Sequence, residues 1–443
     1  MKQLFIALLV ATSFLTQAQT LTGTLTKQAG QQITLTGFNY YKTQEMGKTV
    51  IDSLGNFSFS YPTTYKGMAI LKTQDHSSLI LVLSEKKITL KGNHLKEIHS
   101  LDFTNSTENK NFINYAKMQG LHTNALSAWQ YLENIYQKKA LFKNQNQLKE
   151  IIKKEQKRIH TQDALFITNL DNNSYVRWFI PYRKLVQEMA NIVNNTKHLP
   201  KALAEFRKSN FAHKNFKNSG LFKELIEGHY RLLENMGQSK DSIYTQMNIS
   251  TKHIIENLQS NDSLLNKVSN KLFNYFEKNS LFKASEYLSV SLLNNSQCSL
   301  DTNLKAKLES YRKLKIGNIA PEILLKNNTK LSTIKTNKLL VFGASWCPTC
   351  KKEALALLNL YDAWKLKNVE IIYISIDTSK TDFETAYKNA PWQTFCDYKG
   401  WETQAAKDYS IFGTPTYFLL DDNNKILARP NSVEDANTWI TKF

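Results

Sequence analysis

Between residues 20 and 104 the chain is built from short stretches in which polar and apolar side chains alternate, or in which a few apolar residues run together. Residues 22–26, 32–41, 50–59, 68–73, 79–83 and 88–91 read as strands, with turns such as Ser53-Leu54-Gly55-Asn56 between them. Alternation with a period of two sends one face of each strand inward, so a β-sandwich-like module is predicted for 20–104. From about residue 105 to 314 the period lengthens. Phe112, Tyr115 and Ala116 stand at i, i+3 and i+4, while Leu272, Phe273, Tyr275 and Phe276 mark another apolar face. Polar breaks at Asn172-Asn173, Asn194-Asn195, Ser209-Asn210, Gly237 and Asn294-Asn295 divide this α-helical middle region into several helices.

The last segment, 315–443, has a third pattern. Strands at 322–325, 338–343, 369–376, 417–420 and 425–428 are interleaved with helices at 348–364, 381–388, 402–409 and from Val433 onward. Such alternation predicts an α/β fold with a central sheet covered on both faces. A length of 443 residues, at about 150 per domain, agrees with three domains. Pro415, in Gly413-Thr414-Pro415-Thr416, directly precedes an apolar strand, where proline needs a special reason. A cis Thr414–Pro415 bond supplies one and leaves backbone polar groups open to an extended substrate; an ordinary trans turn is the alternative.

Chemistry concentrates at Trp346-Cys347-Pro348-Thr349-Cys350, between an apolar strand and a helix. A Cys-x-x-Cys pair in that context is a redox signature. Cys347 is expected to be the exposed thiol, where unpaired N–H groups and the helix dipole favour a thiolate. Cys350, three residues on, shares its helix face and can attack a mixed disulfide formed on Cys347. Pro348 suits the first helical turn. A zinc site or a purely structural disulfide are the competing readings. Zinc is weakened because Cys298 and Cys396 each stand alone and no histidine follows His253. Cys396, in the strand-like 393–398, reads as a small buried thiol, and Cys298 lies in a loop-like stretch; nothing in the sequence places the two together.

With those motifs in view, the last 130 residues or so resemble the thioredoxin superfamily, specifically exported TlpA/ResA-like thiol–disulfide oxidoreductases. The matching residues are Gly317, Ala320-Pro321, Phe342-Gly343-Ala344-Ser345-Trp346-Cys347, Cys350-Lys351-Lys352-Glu353 and Gly413-Thr414-Pro415-Thr416. The resemblance implies a dithiol/disulfide centre at Cys347 and Cys350 without a cofactor. It also implies Pro415 as the family's cis-proline, and Trp346 and Thr414 as substrate contacts. The buried aspartate of thioredoxins proper is absent, with Val341 in its place. Glu353 matches the family glutamate one turn beyond Cys350; it reads as a proton carrier, or as a solvated helix glutamate. The family implies the reducing direction, whereas Pro348-Thr349 departs from the Glu-Pro or Gly-Pro of reducing members. The front module loosely resembles β-rich modules that precede thioredoxin domains in exported bacterial proteins, and reads as a spacer or docking unit.

Residues 1–18 have the three parts of a secretory signal peptide: Met1-Lys2, an apolar run from Leu4 to Leu15, then Thr16-Gln17-Ala18. No later stretch has the ~20 apolar residues of a membrane span. A periplasmic or otherwise extracytoplasmic protein is expected, exchanging disulfides with protein substrates and drawing electrons from a membrane thiol relay. Of the net charge of +19, residues 316–443 contribute almost nothing, with 15 Lys/Arg against 14 Asp/Glu. The basic excess lies in the front and middle regions, without any nucleic-acid-binding motif, and no nucleic-acid partner is expected. Two other functions compete with this reading. One is a partner- or ligand-binding envelope protein with the redox domain as scaffold. The other is a peroxidase, which is disfavoured because Ala344 stands where a threonine is needed.

Overall fold

The computed structural model describes residues 18–142, 144–192, 199–325 and 329–442. The predicted leader, apart from Ala18, lies outside the described residues, as does the Asn194-Asn195 break. The chain divides into two compact units, one of Met1–Ser209 with His213–Met236 and the other of Asn210–Ala212 with Gly237–Phe443.

The first unit begins with strands β1 (Ala18–Leu25), β2 (Gln32–Asn39), β3 (Lys42–Val50), β4 (Asn56–Pro62), β5 (Gly67–Thr73), β6 (Ser78–Leu83), β7 (Lys87–Gly92) and β8 (Asp102–Phe103). They form two four-stranded sheets, in orders β4-β1-β7-β8 and β3-β2-β5-β6. Leu21, Ile33, Leu35, Phe57, Phe59, Leu71, Leu81, Ile88 and Leu90, drawn from both sheets, share one apolar core. That is the sandwich the alternation predicts, with one difference. Residues 50–59 are not one strand: the Asp52 carboxylate accepts from the N–H groups of Leu54 and Asn56, and Gly55 takes a positive φ of 85°. The chain therefore reverses between β3 and β4. β3 escapes the hydrophobic pattern because it is a largely exposed strand, KTQEMGKTV, paired with β2. Helices α1 (Thr107–Lys138), α2 (Asn146–Thr168), α3 (Tyr175–Ile192), α4 (Leu199–Lys208) and α5 (Phe222–Glu234) complete this unit.

The second unit opens with helices α6 (Lys240–Leu258), α7 (Asp262–Lys278), α8 (Phe282–Leu293) and α9 (Thr302–Arg312). Then follow β9 (Asn337–Gly343), α10 (Pro348–Leu366), β10 (Val369–Ser375), α11 (Lys380–Tyr387), β11 (Gln393–Cys396), α12 (Gln404–Asp408), β12 (Thr416–Leu420), β13 (Ile426–Ala428) and α13 (Val433–Ile440). The sheet order is β11-β10-β9-β12-β13, with β9, β10 and β11 parallel and the other two antiparallel to their neighbours. Leu339, Val341, Ile371 and Leu419 face Leu357 and Trp364 of α10 and Ala436 and Ile440 of α13 in one core. On the other face Phe418 meets Phe342 and Tyr409 edge-on while Phe342 and Tyr409 lie tilted to each other, with ring centroids 5.1–6.2 Å apart. The sheet is thus covered on both sides, which is why its strands read as near-continuous apolar runs. Residues 322–325 do not join this sheet as a strand. Their backbone is taken up locally, Leu325 N–H donating to Thr329 and Ile323 accepting from Leu331.

The α7–α9 helices are fastened to the sheet through Arg429, which follows β13. Its guanidinium donates to Glu277 of α7 at 3.2 Å and to the Tyr311 hydroxyl of α9. It lies 3.9 Å from the ring centre of Phe282 and 4.8 Å from that of Phe418. Burial works against the charge, but Tyr311 and Glu277 outweigh it and hold the guanidinium above its usual pKa. Among the described residues no helix is long and apolar enough to cross a membrane.

Candidate active site

The site stands at the end of β9, where the central strand leaves the sheet. Cys347 is the N-cap of α10: its backbone is extended, and its Sγ accepts from the Cys350 N–H at 3.1 Å. A sulfur in that position occupies a place usually filled by a side-chain oxygen, so it meets an otherwise orphaned helical donor and the positive end of the dipole. Pro348 follows as the first helical residue and loses no hydrogen bond there. Cys347 and Cys350 are joined by a disulfide.

Cys347 is not the exposed thiol the spacing predicts. It is 4% exposed and Cys350 2%. The bond to Cys350 draws its sulfur inward, and the Thr414 carbonyl oxygen lies 3.5 Å from Sγ on the other side. The exposed neighbour is Trp346, 55% accessible, whose ring lies 6.4 Å from that of Trp401. The Thr414–Pro415 peptide bond is cis, and Thr414 and Pro415 are both half-buried. The fold therefore gathers Cys347, Cys350 and Thr414 into contact, with Trp346 beside them.

Glu353 sits one turn further along α10, half-buried. Its Oε2 accepts from the Tyr417 hydroxyl of β12 at 3.1 Å and from Val433 N–H, the first residue of α13, at 2.7 Å. It is thus not the freely solvated glutamate of the alternative reading. Burial first, and the Glu353 charge second, push the Tyr417 hydroxyl well above the usual tyrosine pKa, so it remains a donor.

Sequence reasoning missed the residue that holds the loop before Cys347. Asp377, 1% exposed just beyond β10, accepts from Ser345 N–H at 3.0 Å, from Ser345 Oγ at 2.7 Å and from Ser375 Oγ at 2.6 Å. Its signal was its position: a single acid after the apolar run VEIIYIS, at the carboxyl edge of a parallel sheet, where sites of α/β folds gather. Cys396 and Cys298 are free and not joined to each other. Cys396 Sγ lies 3.4 Å from the Asp377 carbonyl oxygen, and burial raises the pKa of both thiols.

Comparison with known proteins matches a family described as thioredoxin-like to residues 337–426. The thiol-disulfide oxidoreductase ResA of Bacillus thuringiensis is 33% identical over 125 residues, covering 26% of this chain and 69% of that protein. Tryparedoxin of Trypanosoma brucei brucei is 29% identical over 112 residues, covering 24% of this chain and 78% of that protein. Human nucleoredoxin is 30% identical over 122 residues, but the chain spans only 28% of its length. Among solved structures, the thioredoxin domain of a thiol-disulfide oxidoreductase from Bacteroides vulgatus is 27% identical, covering 29% of this chain and 97% of that one, with a TM-score of 0.27.

Proposed function

The chain belongs to the thioredoxin superfamily, among its TlpA/ResA-like members, and from that premise we propose that it exchanges disulfides with protein substrates through Cys347 and Cys350. The reducing direction runs in two steps. The Cys347 thiolate attacks one sulfur of a substrate disulfide, forming a mixed disulfide and releasing the first substrate thiolate. Cys350, as thiolate, then attacks Cys347 Sγ, closing the 347–350 disulfide and releasing the second substrate thiolate. Two electrons pass from the dithiol to the substrate, and a dithiol donor must return them.

The observation that carries this reading is the cap geometry: the Cys347 sulfur receives the Cys350 N–H at the start of α10 while bonded to the Cys350 sulfur. A sulfur so placed is stabilised as an anion and has its resolving partner within reach. In this reading the Thr414-Pro415 loop and Trp346 receive the substrate chain around its cysteine. Glu353 carries a proton to or from Cys350 as the thiols exchange. Residues 1–18 export the protein, so a membrane thiol relay is the donor class that could keep it reduced in an oxidising compartment.

The test is insulin reduction with dithiothreitol as electron source. The wild-type protein is expected to turn over insulin, and Cys347→Ser to fall to the uncatalysed rate. Equal rates for the two proteins would overturn the assignment and leave the redox domain as a scaffold.

A further inference from the structure

The loop between α12 and β12 is held from outside the five-stranded sheet and its flanking helices. Phe412, two residues before Thr414, packs edge-on against Phe273 of α7, with ring centroids 5.7 Å apart and planes at 82°. Lys307 of α9 caps both rings, its ammonium 4.9 Å from the Phe273 centroid and 4.8 Å from that of Phe412. It also donates to the side-chain oxygens of Asn270, at 3.1 Å, and Asn274. Phe412 nevertheless remains 37% exposed, so this is a surface and not a closed core.

Lys307 is a half-buried cation for which the fold supplies rings and amides as direct partners, with the Glu277 charge acting only from beyond contact. Among the described residues no carboxylate comes within ion-pair distance of it. Burial lowers its pKa and Glu277 raises it, yet Glu277 spends its Oε2 on Arg429. Beside it α7 and α9 leave an open groove of about 750 Å³ lined by Asn266, Lys267, Asn270, Thr302 and Lys307. Asp301, the acid in that groove, has its carboxylate bonded to Leu304 N–H as the α9 cap.

We propose that Lys307 and Phe412 form a recognition site for an acidic flank of the polypeptide whose disulfide meets Cys347. The site rests on the exchange chemistry proposed above and extends it: α7 and α9 become part of the substrate surface. A substrate strand lying along the 412–415 loop, at about 3.3 Å per residue, would reach Lys307 within roughly half a dozen residues of its reactive cysteine. An aspartate or glutamate there would meet the ammonium, and an apolar neighbour would meet the Phe412 ring.

Two peptides of about ten residues test this at the spacing just argued. They differ only in carrying an Asp-Glu or an Asn-Gln pair, about four residues to either side of a single cysteine. Each is supplied as its 2-thiopyridyl mixed disulfide. Reduced protein then becomes the 347–350 disulfide while one peptide thiol and one 2-thiopyridone are released, and the thiopyridone absorbance gives the second-order rate constant. The wild type should favour the acidic peptide about threefold to fivefold at low salt, with the ratio falling towards one at high salt. Lys307→Gln should bring the ratio to about one, Lys307→Glu should invert it, and Lys307→Arg should keep it. A wild-type ratio near one, or a ratio unchanged in Lys307→Gln, overturns the recognition site alone. Failure of the wild type to react with either peptide overturns the dithiol reading beneath it.

Discussion

β4 and β9 are both seven residues long, and they bury their residues in opposite ways. Along β4, NFSFSYP, buried and exposed positions alternate strictly. Along β9, NKLLVFG, every residue after the first is buried. The first strand belongs to a sandwich in which each sheet turns one face to a partner; the second runs through the middle of a sheet covered on both sides. A strand of the β9 kind has no side face to give to chemistry. Its access to solvent is at its end, and there the chain places Ser345, Trp346 and Cys347. Helices α1 and α3 cover Met68 and Val82 on the outer side of one sheet of the sandwich. β4 of the other sheet keeps its outer positions in water, yet among the described residues no comparable cluster of reactive groups stands there.

Covering both faces has a second consequence, which gives the largest expected effect. The outer layer over the Phe342–Phe418 face includes α7, whose Glu277 forms a buried ion pair with Arg429 just after β13, the two side chains 2% and 6% exposed. Arg429→Met would leave Glu277 buried without its counter-charge, a change that typically costs about 3–5 kcal/mol. Urea unfolding should show that loss. A variant with wild-type stability would mean that the sheet does not depend on this helical layer.

The strands themselves can be compared next. In β9, Leu339 and Leu340 point to opposite faces and both are fully buried. Leu339→Ala and Leu340→Ala should each destabilise by about 2–5 kcal/mol. In β4 only the inward set should respond in that range: Phe59→Ala by about 3–5 kcal/mol, and Ser58→Ala, on the exposed face, within about 0.5 kcal/mol. Sensitivity at Ser58 equal to that at Phe59, measured by the shift in unfolding midpoint, would break the distinction.

The same distinction explains what was legible. Near-continuous apolar runs at 338–343, 369–376 and 417–420, interrupted at Lys338, Glu370 and Ser375, coincide with β9, β10 and β12 to within a residue, because burial on both faces leaves little alternation. The cysteine pair was legible because its chemistry depends on local spacing. β3 was not, since its side chains are mostly in water and its pairing with β2 is set by the tight turn at Tyr40-Tyr41, where Tyr40 takes a positive φ of 52°. Residues 322–325 are apolar enough for a strand but find backbone partners nearby, a tertiary choice that propensity does not encode. Asp377 and the Arg429–Glu277 pair are contacts over long sequence separations, and no periodicity marks them.

Glu353 gives the smallest expected effect and the sharpest question about the β9 end, because it is at once a brace and a candidate proton carrier. Its Oε2 joins α10 to Tyr417 of β12 and to the first turn of α13. Glu353→Gln keeps the shape but removes the charge from both hydrogen bonds, at a cost of about 1–2 kcal/mol. A brace alone would lower stability and leave the pH dependence of thiol exchange with its original shape. A proton carrier one turn from Cys350 would also slow exchange, roughly tenfold or about 1.4 kcal/mol, and displace one limb of the profile. We expect both effects together. Superimposable pH–rate profiles for the two proteins, alongside a lowered unfolding midpoint, would reduce Glu353 to the strut that its two hydrogen bonds describe.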